Sequence, residues 1–260
     1  MLTKYLKKLF HTRPSAPHFT APLAVPGPVY VIGDIHGAFD ALLQLSDIID
    51  ADAQARGAAA PPPRVYVGDY VDRGEASATV LAHLYELAKL DPDQHICLRG
   101  NHEAMMLDFL RDPTRTGRRW LRHGGLQTLA SYGIGGITER SNPASFTAAR
   151  DALRRALPAG LEDWLQSRPS LWRLGNLNVV HAALDPATPP QGQGDDIRLW
   201  GHAQFTTQPR RDGQWVIHGH TIVDDPVVQA GRIAIDTGAY ATGRLTAAGF
   251  CGDQMWFVGT

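Results

Sequence analysis

The sequence predicts an α/β fold in which a sheet, largely parallel at first, is wrapped by helices. Two observations carry this. Short apolar runs alternate with segments of helical periodicity from residue 29 onward, as βαβ units require. The 260 residues are 43% hydrophobic and 20% charged, which supplies a sizeable core and excludes wholesale disorder.

In chain order, residues 1–28 read as a basic helix and a proline-rich linker, and 29–260 as one catalytic domain. Leu2, Leu6, Leu9 and Phe10 share one helical face, and Lys4, Lys7 and Lys8 lie on another. This helix is expected to pack on its own domain or a partner chain. The alternative is weak contact of residues 2–10 with an anionic membrane surface. Prolines at 14, 17, 22, 26 and 28 mark the linker. Strands are expected at Val29–Ile32, Arg64–Val67, His95–Leu98, Leu177–Val180, Gln214–Ile217 and Arg232–Ile235. Phe39, Leu42, Leu43, Ile48 and Ile49 recur at helical spacing after the first strand. Val80, Leu81, Leu84 and Leu87 do so after the second, with Ser77 a candidate N-cap. Residues 104–173 read as a helical insertion. The tail reads as a hairpin of Gly243–Phe250 and Met255–Val258, turning at Cys251–Gln254.

Composition narrows the function class. A net charge of −1 argues against a nucleic-acid partner. Two cysteines build no disulfide framework and fit a reducing, cytoplasmic location. No apolar run is long enough to span a bilayer, and the N-terminus lacks the pattern of a signal peptide. Only four of the 25 basic residues are lysine, an arginine-heavy usage that fits a GC-rich bacterial genome. Eleven histidines are the unusual count.

Chemistry concentrates where the strands end. GDIHG (33–37), GDYVDRG (68–74), RGNHE (99–103), His181 and HGHT (218–221) each follow an apolar run. Ligands of α/β sheets bind beyond the carboxyl ends of strands, so Asp34, His36, Asp69, Asn101, His181 and His220 converge there. These oxygen and nitrogen donors suit manganese, iron or zinc, and they include no thiolate.

This set resembles the calcineurin-like metallophosphoesterases, and within them the phosphoprotein phosphatases that include bacterial serine/threonine protein phosphatases. WLRHGGLQTLASYG (120–133) and IDTGAYATGRLTA (235–247) are similar to segments of bacterial members. The resemblance covers residues 29–250. It implies a four-layer α/β/β/α sandwich of two mixed sheets with a helical insertion and two divalent cations at one edge, most simply manganese, with iron or zinc as options. Asp34 and His36 would bind the first, Asp69 would bridge, and Asn101, His181 and His220 would bind the second. His218 would sit behind these ligands or, the favoured reading, simply cap a strand.

Two cations ~3.5–4 Å apart would clamp a phosphoryl group and lower the pKa of a shared water, giving a hydroxide in line with phosphorus. His102 is the candidate general acid, with Asp72 fixing its tautomer. Arg73 and Arg99 would bind the non-bridging oxygens. One position departs from the family pattern: LWxRxxF reads Leu199-Trp200-Gly201-His202-Ala203-Gln204-Phe205 here. His202 is a phosphate contact without permanent charge, so binding is expected to be weaker or pH-dependent. Arginines at 111, 115, 118, 119 and 122 form either a solvated helix face or a basic rim for anionic substrates.

The leading expectation is a phosphomonoesterase acting on phosphoserine and phosphothreonine in proteins, with phosphotyrosine or a small phosphoester as further substrates. A symmetrical diadenosine tetraphosphate hydrolase shares nearly all these motifs. A non-catalytic phosphate-binding scaffold is disfavoured, because a scaffold needs no general acid.

Overall fold

The computed structural model describes residues 19–260; the expected basic helix and the first part of the linker lie outside the described residues. The chain runs β1 (Val25–Ile32), α1 (Phe39–Ala55), β2 (Arg64–Tyr66), α2 (Ser77–Leu90) and β3 (His95–Cys97). Five helices follow: α3 (Asn101–Arg111), α4 (Pro113–Trp120), α5 (Leu126–Ser131), α6 (Pro143–Ala156) and α7 (Leu161–Gln166). Then come β4 (Leu171–Leu174), β5 (Leu177–Val180), α8 (Asp195–Trp200) and β6 (Trp215–His218). The chain closes with β7 (Val227–Gln229), β8 (Arg232–Ala234), α9 (Ala239–Thr242), β9 (Thr246–Gly252) and β10 (Gln254–Gly259).

Two five-stranded mixed sheets result, ordered β10-β9-β1-β2-β3 and β4-β5-β6-β8-β7. β1, β2 and β3 are parallel, as are β5, β6 and β8, while β9, β10, β4 and β7 join antiparallel. Strand alternation decides which side chain goes where. Val29, Val31, Val65 and Val67 meet Leu177, Val179, Ile217 and Ile233 between the sheets. Tyr30, Ile32, Tyr66 and Cys97 face the other way, onto Leu42, Leu45, Val80 and Leu84 of the helices. Beyond the second sheet, among the described residues, Val180, Ala183, Leu184, Phe205 and Val216 form a small cluster, so the layer they make is thin. At about 1.5–3 kcal/mol for each large buried aliphatic side chain, the first two clusters carry most of the stability.

Several boundaries differ from expectation. β1 starts at Val25, four residues early, because a register shift between Val25 and Val29 accommodates Pro26 and Pro28. Residues 19–25, read as linker, pack onto the body. The Phe19 ring meets Trp215 edge-on at 5.1 Å, and Leu23 and Val25 are buried between the sheets. β4 falls inside the expected helical insertion; its signal was the Gly175-Asn176 turn that folds it onto β5. β7 has three exposed residues and pairs only with β8 through Ala230-Gly231, both at positive φ. The terminal hairpin turns at Gly252-Asp253. Ser77 opens α2 without capping it, and its Oγ accepts the Asp72 N–H at 3.0 Å.

Candidate active site

Parallel strands ending at one edge bring the predicted donors together. Asp34 and His36 follow β1, Asp69 follows β2, Asn101 opens α3 after β3, His181 follows β5 and His220 follows β6. The local backbone is strained: His36, Asp69, Asp72, Arg73 and His220 all have φ between 46° and 75°. Five neighbouring non-glycine residues in the left-handed region mark a site where tertiary contacts override local preference. Gly219 shows how tight the packing is, since a Cβ there would lie 1.8 Å from Asp34 Oδ1.

Asp69 occupies the middle. Its Oδ2 lies 3.4 Å from His36 Nε2 and its Oδ1 lies 3.3 Å from His181 Nε2, so one carboxylate faces two ligand groups. One group of potential ligands is His36, Asp69 and His102, and the other is Asp69, His181 and His220. His36 donates Nδ1–H to Val71 O at 2.7 Å, which leaves the Nε2 lone pair turned inward without a partner. Asp34 Oδ1 is likewise buried and unpartnered. His181 Nε2 lies 2.7 Å from the Asn101 amide and 3.2 Å from His220 Nδ1. Lone pairs crowded together out of water are stabilised by a cation, so the donor set fits divalent metal.

Electrostatics agree with that role. Burial pushes the His181 pKa down to about 3 and also lowers His220, so both imidazoles are neutral at pH 7 with lone pairs free for ligation. Burial opposes ionisation of Asp69, but His181, His102 and His36 around it more than compensate and hold its pKa well below the usual carboxylate range. Asp34 is pushed up by burial and by the carboxylates of Asp236 and Asp69.

His102 donates Nδ1–H to Asp72 Oδ2 at 2.7 Å, and its Nε2 accepts from Arg73 Nη2 at 3.2 Å. Burial disfavours the imidazolium, yet the Asp69 charge and the Asp72 hydrogen bond outweigh it and raise the His102 pKa. Arg73 lies 5.3 Å over the Tyr240 ring, and together with His102 and Asn101 both residues line an open cavity of about 970 Å³. The Arg73 backbone is held by the single π-helical turn Leu121–Gly125, where Gly124 at φ 108° accepts the Arg73 N–H. A Cβ at Gly124 would sit 2.5 Å from that nitrogen.

Two expected phosphate contacts are placed elsewhere. Arg99 donates to Asp195 Oδ2 at 2.5 Å and to Gln166 O at 3.1 Å, because α8 begins with an acidic residue beside it. His202 lines an adjoining cavity of about 330 Å³ with Phe205 and Arg232, and its Nδ1 accepts the Gln204 N–H. Trp200, His220 and Thr221 line both cavities. His218 stays structural: it is buried, donates Nδ1–H to Gly219 O, and burial pushes its pKa down to about 4. In the arginine cluster, Arg111, Arg115 and Arg122 pair with acids, and Arg119 lies over Trp200 at 4.5 Å. Of the five arginines, Arg122 reaches the cavity wall, beside His123 and Gln127.

Three supporting residues received no role from sequence. Glu103 accepts backbone N–H groups from Asp69, Tyr70, Val71 and Gly100 and thereby pins the loop after β2. Burial and then the Asp69 charge raise its pKa to about 7. Asp72 accepts from Trp120 Nε1 at 2.9 Å and from Thr128 Oγ1 at 2.6 Å. The signal for these two was their place in the 120–133 segment. Thr128→Val keeps the shape but leaves the buried Asp72 carboxylate one donor short. A loss of about 1–3 kcal/mol follows, lowering Tm by roughly 3–10 °C in a thermal melt. An unchanged Tm would contradict the contact.

The chain is similar to known proteins over most of its length. The chain is 29% identical over 230 residues to serine/threonine-protein phosphatase 2 of Salmonella typhimurium, covering 84% of this chain and 90% of the relative. It is 25% identical to an asymmetrical bis(5'-nucleosyl)-tetraphosphatase of Halalkalibacterium halodurans, covering 85% and 89%. A solved protein described as a candidate diadenosine tetraphosphatase superposes with a TM-score of 0.58 at 22% identity, covering 92% of this chain and 98% of that one. A Saccharomyces cerevisiae serine/threonine phosphatase superposes at 0.54 and 16% identity, covering 92% and 84%. These two likenesses support the two-sheet fold. Residues 27–224 match the calcineurin-like phosphoesterase family across the strand ends that carry Asp34, Asp69, Asn101, His181 and His220, and the chain belongs to that enzyme family.

Proposed function

We propose that the chain is a phosphomonoesterase acting on phosphoserine and phosphothreonine in proteins, with manganese as its metal and the cytoplasm as its location. The observation that carries the reading is the Asp72–His102–Arg73 arrangement on the wall of an open 970 Å³ cavity. An open site admits a phosphorylated side chain still attached to a polypeptide. Near-full-length similarity to a serine/threonine phosphatase supports the same substrate class.

Bound divalent ions would supply Lewis acidity to the phosphoryl oxygens and a nucleophile at neutral pH. The residues that would hold them are Asp34, His36, Asp69, Asn101, His181 and His220. Arg73 binds and orients the phosphoryl group, its backbone held by Gly124 and its guanidinium placed by His102 and the Tyr240 ring. Phosphate arriving between Arg73 and His102 replaces the contact they make with each other. Released from Arg73, His102 takes up a proton at Nε2 from solvent and delivers it to the leaving oxygen, while Asp72 keeps Nδ1 protonated so that Nε2 does the transfer. Trp120 and Thr128 hold Asp72 still.

The tetraphosphatase relative keeps a dinucleotide substrate in view as the second reading. One manganese-loaded preparation assayed on a phosphoserine and phosphothreonine peptide panel and on diadenosine tetraphosphate decides between them. A kcat/KM at least ~10-fold higher on peptides is expected, a difference of about 1.4 kcal/mol in transition-state binding. Equal or faster cleavage of the dinucleotide overturns the protein-substrate reading.

A further inference from the structure

Asp236 stands at the carboxyl end of β8, on the edge where the metal-binding residues converge, and the mechanism above gives it no role. It is 1% exposed. Its Oδ1 accepts the Gly238 N–H at 2.9 Å, and its backbone carbonyl accepts the Val223 N–H. Its Oδ2 is buried and has no hydrogen-bond partner. Asp34 Oδ1 is also buried and unpartnered, while Asp34 Oδ2 is spent on the His220 N–H. Two orphaned carboxylate oxygens therefore belong to one corner of the site.

The surroundings say what that corner lacks. Ile235, next to Asp236, donates its N–H to His218 O, and a Cβ on Gly219 would lie 1.8 Å from Asp34 Oδ1, so the paired strands β6 and β8 bring Asp236 to the Asp34 side. A structural carboxylate in such a place would be expected to find donors for both oxygens. Asp236 has found a donor for one.

The donor count points the same way. The second cation would have four protein ligands in Asp69, Asn101, His181 and His220. The first would have three, Asp34, His36 and the shared Asp69. Six-coordinate, oxygen-rich surroundings suit manganese, so the Asp34 side is short of donors.

We propose that Asp236 is a further acidic residue of the metal centre, holding a divalent cation on the Asp34 and His36 side through Oδ2, directly or through one water. The proposal rests on the metal-centre reading above. Its role is to raise affinity on that side and to cancel the repulsion between two buried carboxylates once the cation is in place.

Asp236→Asn tests this, because the amide keeps the oxygen that accepts from Gly238 and removes only the charge and the second acceptor. The metal-free parent and variant are titrated with Mn2+ by calorimetry, and both are melted with and without the ion. The parent is expected to bind two ions. The variant is expected to bind one of them about 10–100-fold more weakly, the usual cost of losing a supporting residue of a metal site. Without metal, the variant is expected to melt at or above the parent, since one of two buried like charges is gone. The Mn2+-induced rise in Tm is expected to be smaller than in the parent. A merely structural aspartate would give the opposite pattern, with a lower Tm in the metal-free variant and an unchanged isotherm. Either of those two results overturns the proposal and leaves the metal-centre reading intact. A parent that takes up no Mn2+ overturns both.

Discussion

Asp69→Asn lowers turnover of p-nitrophenyl phosphate by about 10³-fold or more and strips the protein of bound manganese. The expectation follows from the position of one carboxylate. Asp69 lies between His36 and His181, with one oxygen within 3.4 Å of each imidazole, and its Oδ1 also accepts the His102 N–H at 3.0 Å. It is the residue common to both groups of ligand atoms. Asparagine is nearly isosteric, but its NH2 is a donor and must face either His36 or His181 where a lone pair stood. Both cations lose charge compensation at once. The fold holds the Asp69 pKa low, so losing its charge lowers the apo-protein's Tm, and circular dichroism at the assay temperature checks that the variant is still folded. Metal content by mass spectrometry and steady-state kinetics check the result. Retention of more than about a tenth of the parent rate would show that Asp69 is not shared between two ions.

Strand ends were legible in the sequence because a β-strand followed by Gly-Asp or Gly-Asn is a local pattern. GDIHG, GDYVDRG and RGNHE each state a strand, a turn and a ligand in consecutive residues. The six donors therefore emerged as a set, and the sheet order brings them to one edge. What stayed hidden depends on partners far away along the chain. Trp120 and Thr128 reach Asp72 across 48 and 56 residues, and Asp195 captures Arg99 across 96. No local spacing encodes such a pairing, so Arg99 read as a phosphate contact and Ser77 as a helix cap. The short strands were lost for a related reason. β4 is only half-buried and β7 wholly exposed, so neither makes the buried apolar run that marks the other strands, and each exists because a neighbour offers it a ladder. The early start of β1 was masked by two prolines that a shifted register tolerates.

His102→Asn separates proton donation from phosphate binding by what it does to different leaving groups. Hydrolysis of a phosphoserine peptide expels an alkoxide, which needs a proton in the transition state. Losing a positioned acid there costs about 10²–10⁴-fold in kcat. Expulsion of p-nitrophenolate needs far less help, so the same variant should lose no more than about 10-fold on that substrate, with KM little changed. The geometry supports the split: His102 shares the cavity wall with Arg73, but Asp72 fixes its ring and the phosphate charge is borne by Arg73. The pH dependence has a definite sign. The His102 pKa is raised by the Asp69 charge and the Asp72 hydrogen bond against the effect of burial, so the imidazolium persists above the ordinary histidine range. Activity on the phosphoserine peptide therefore falls as pH rises through that raised value, and the limb disappears in the variant. With p-nitrophenyl phosphate the limb is shallow in both proteins. Equal losses on the two substrates would mean that His102 acts by holding the phosphoryl group or the Asp69 loop, and that the leaving-group proton comes from elsewhere.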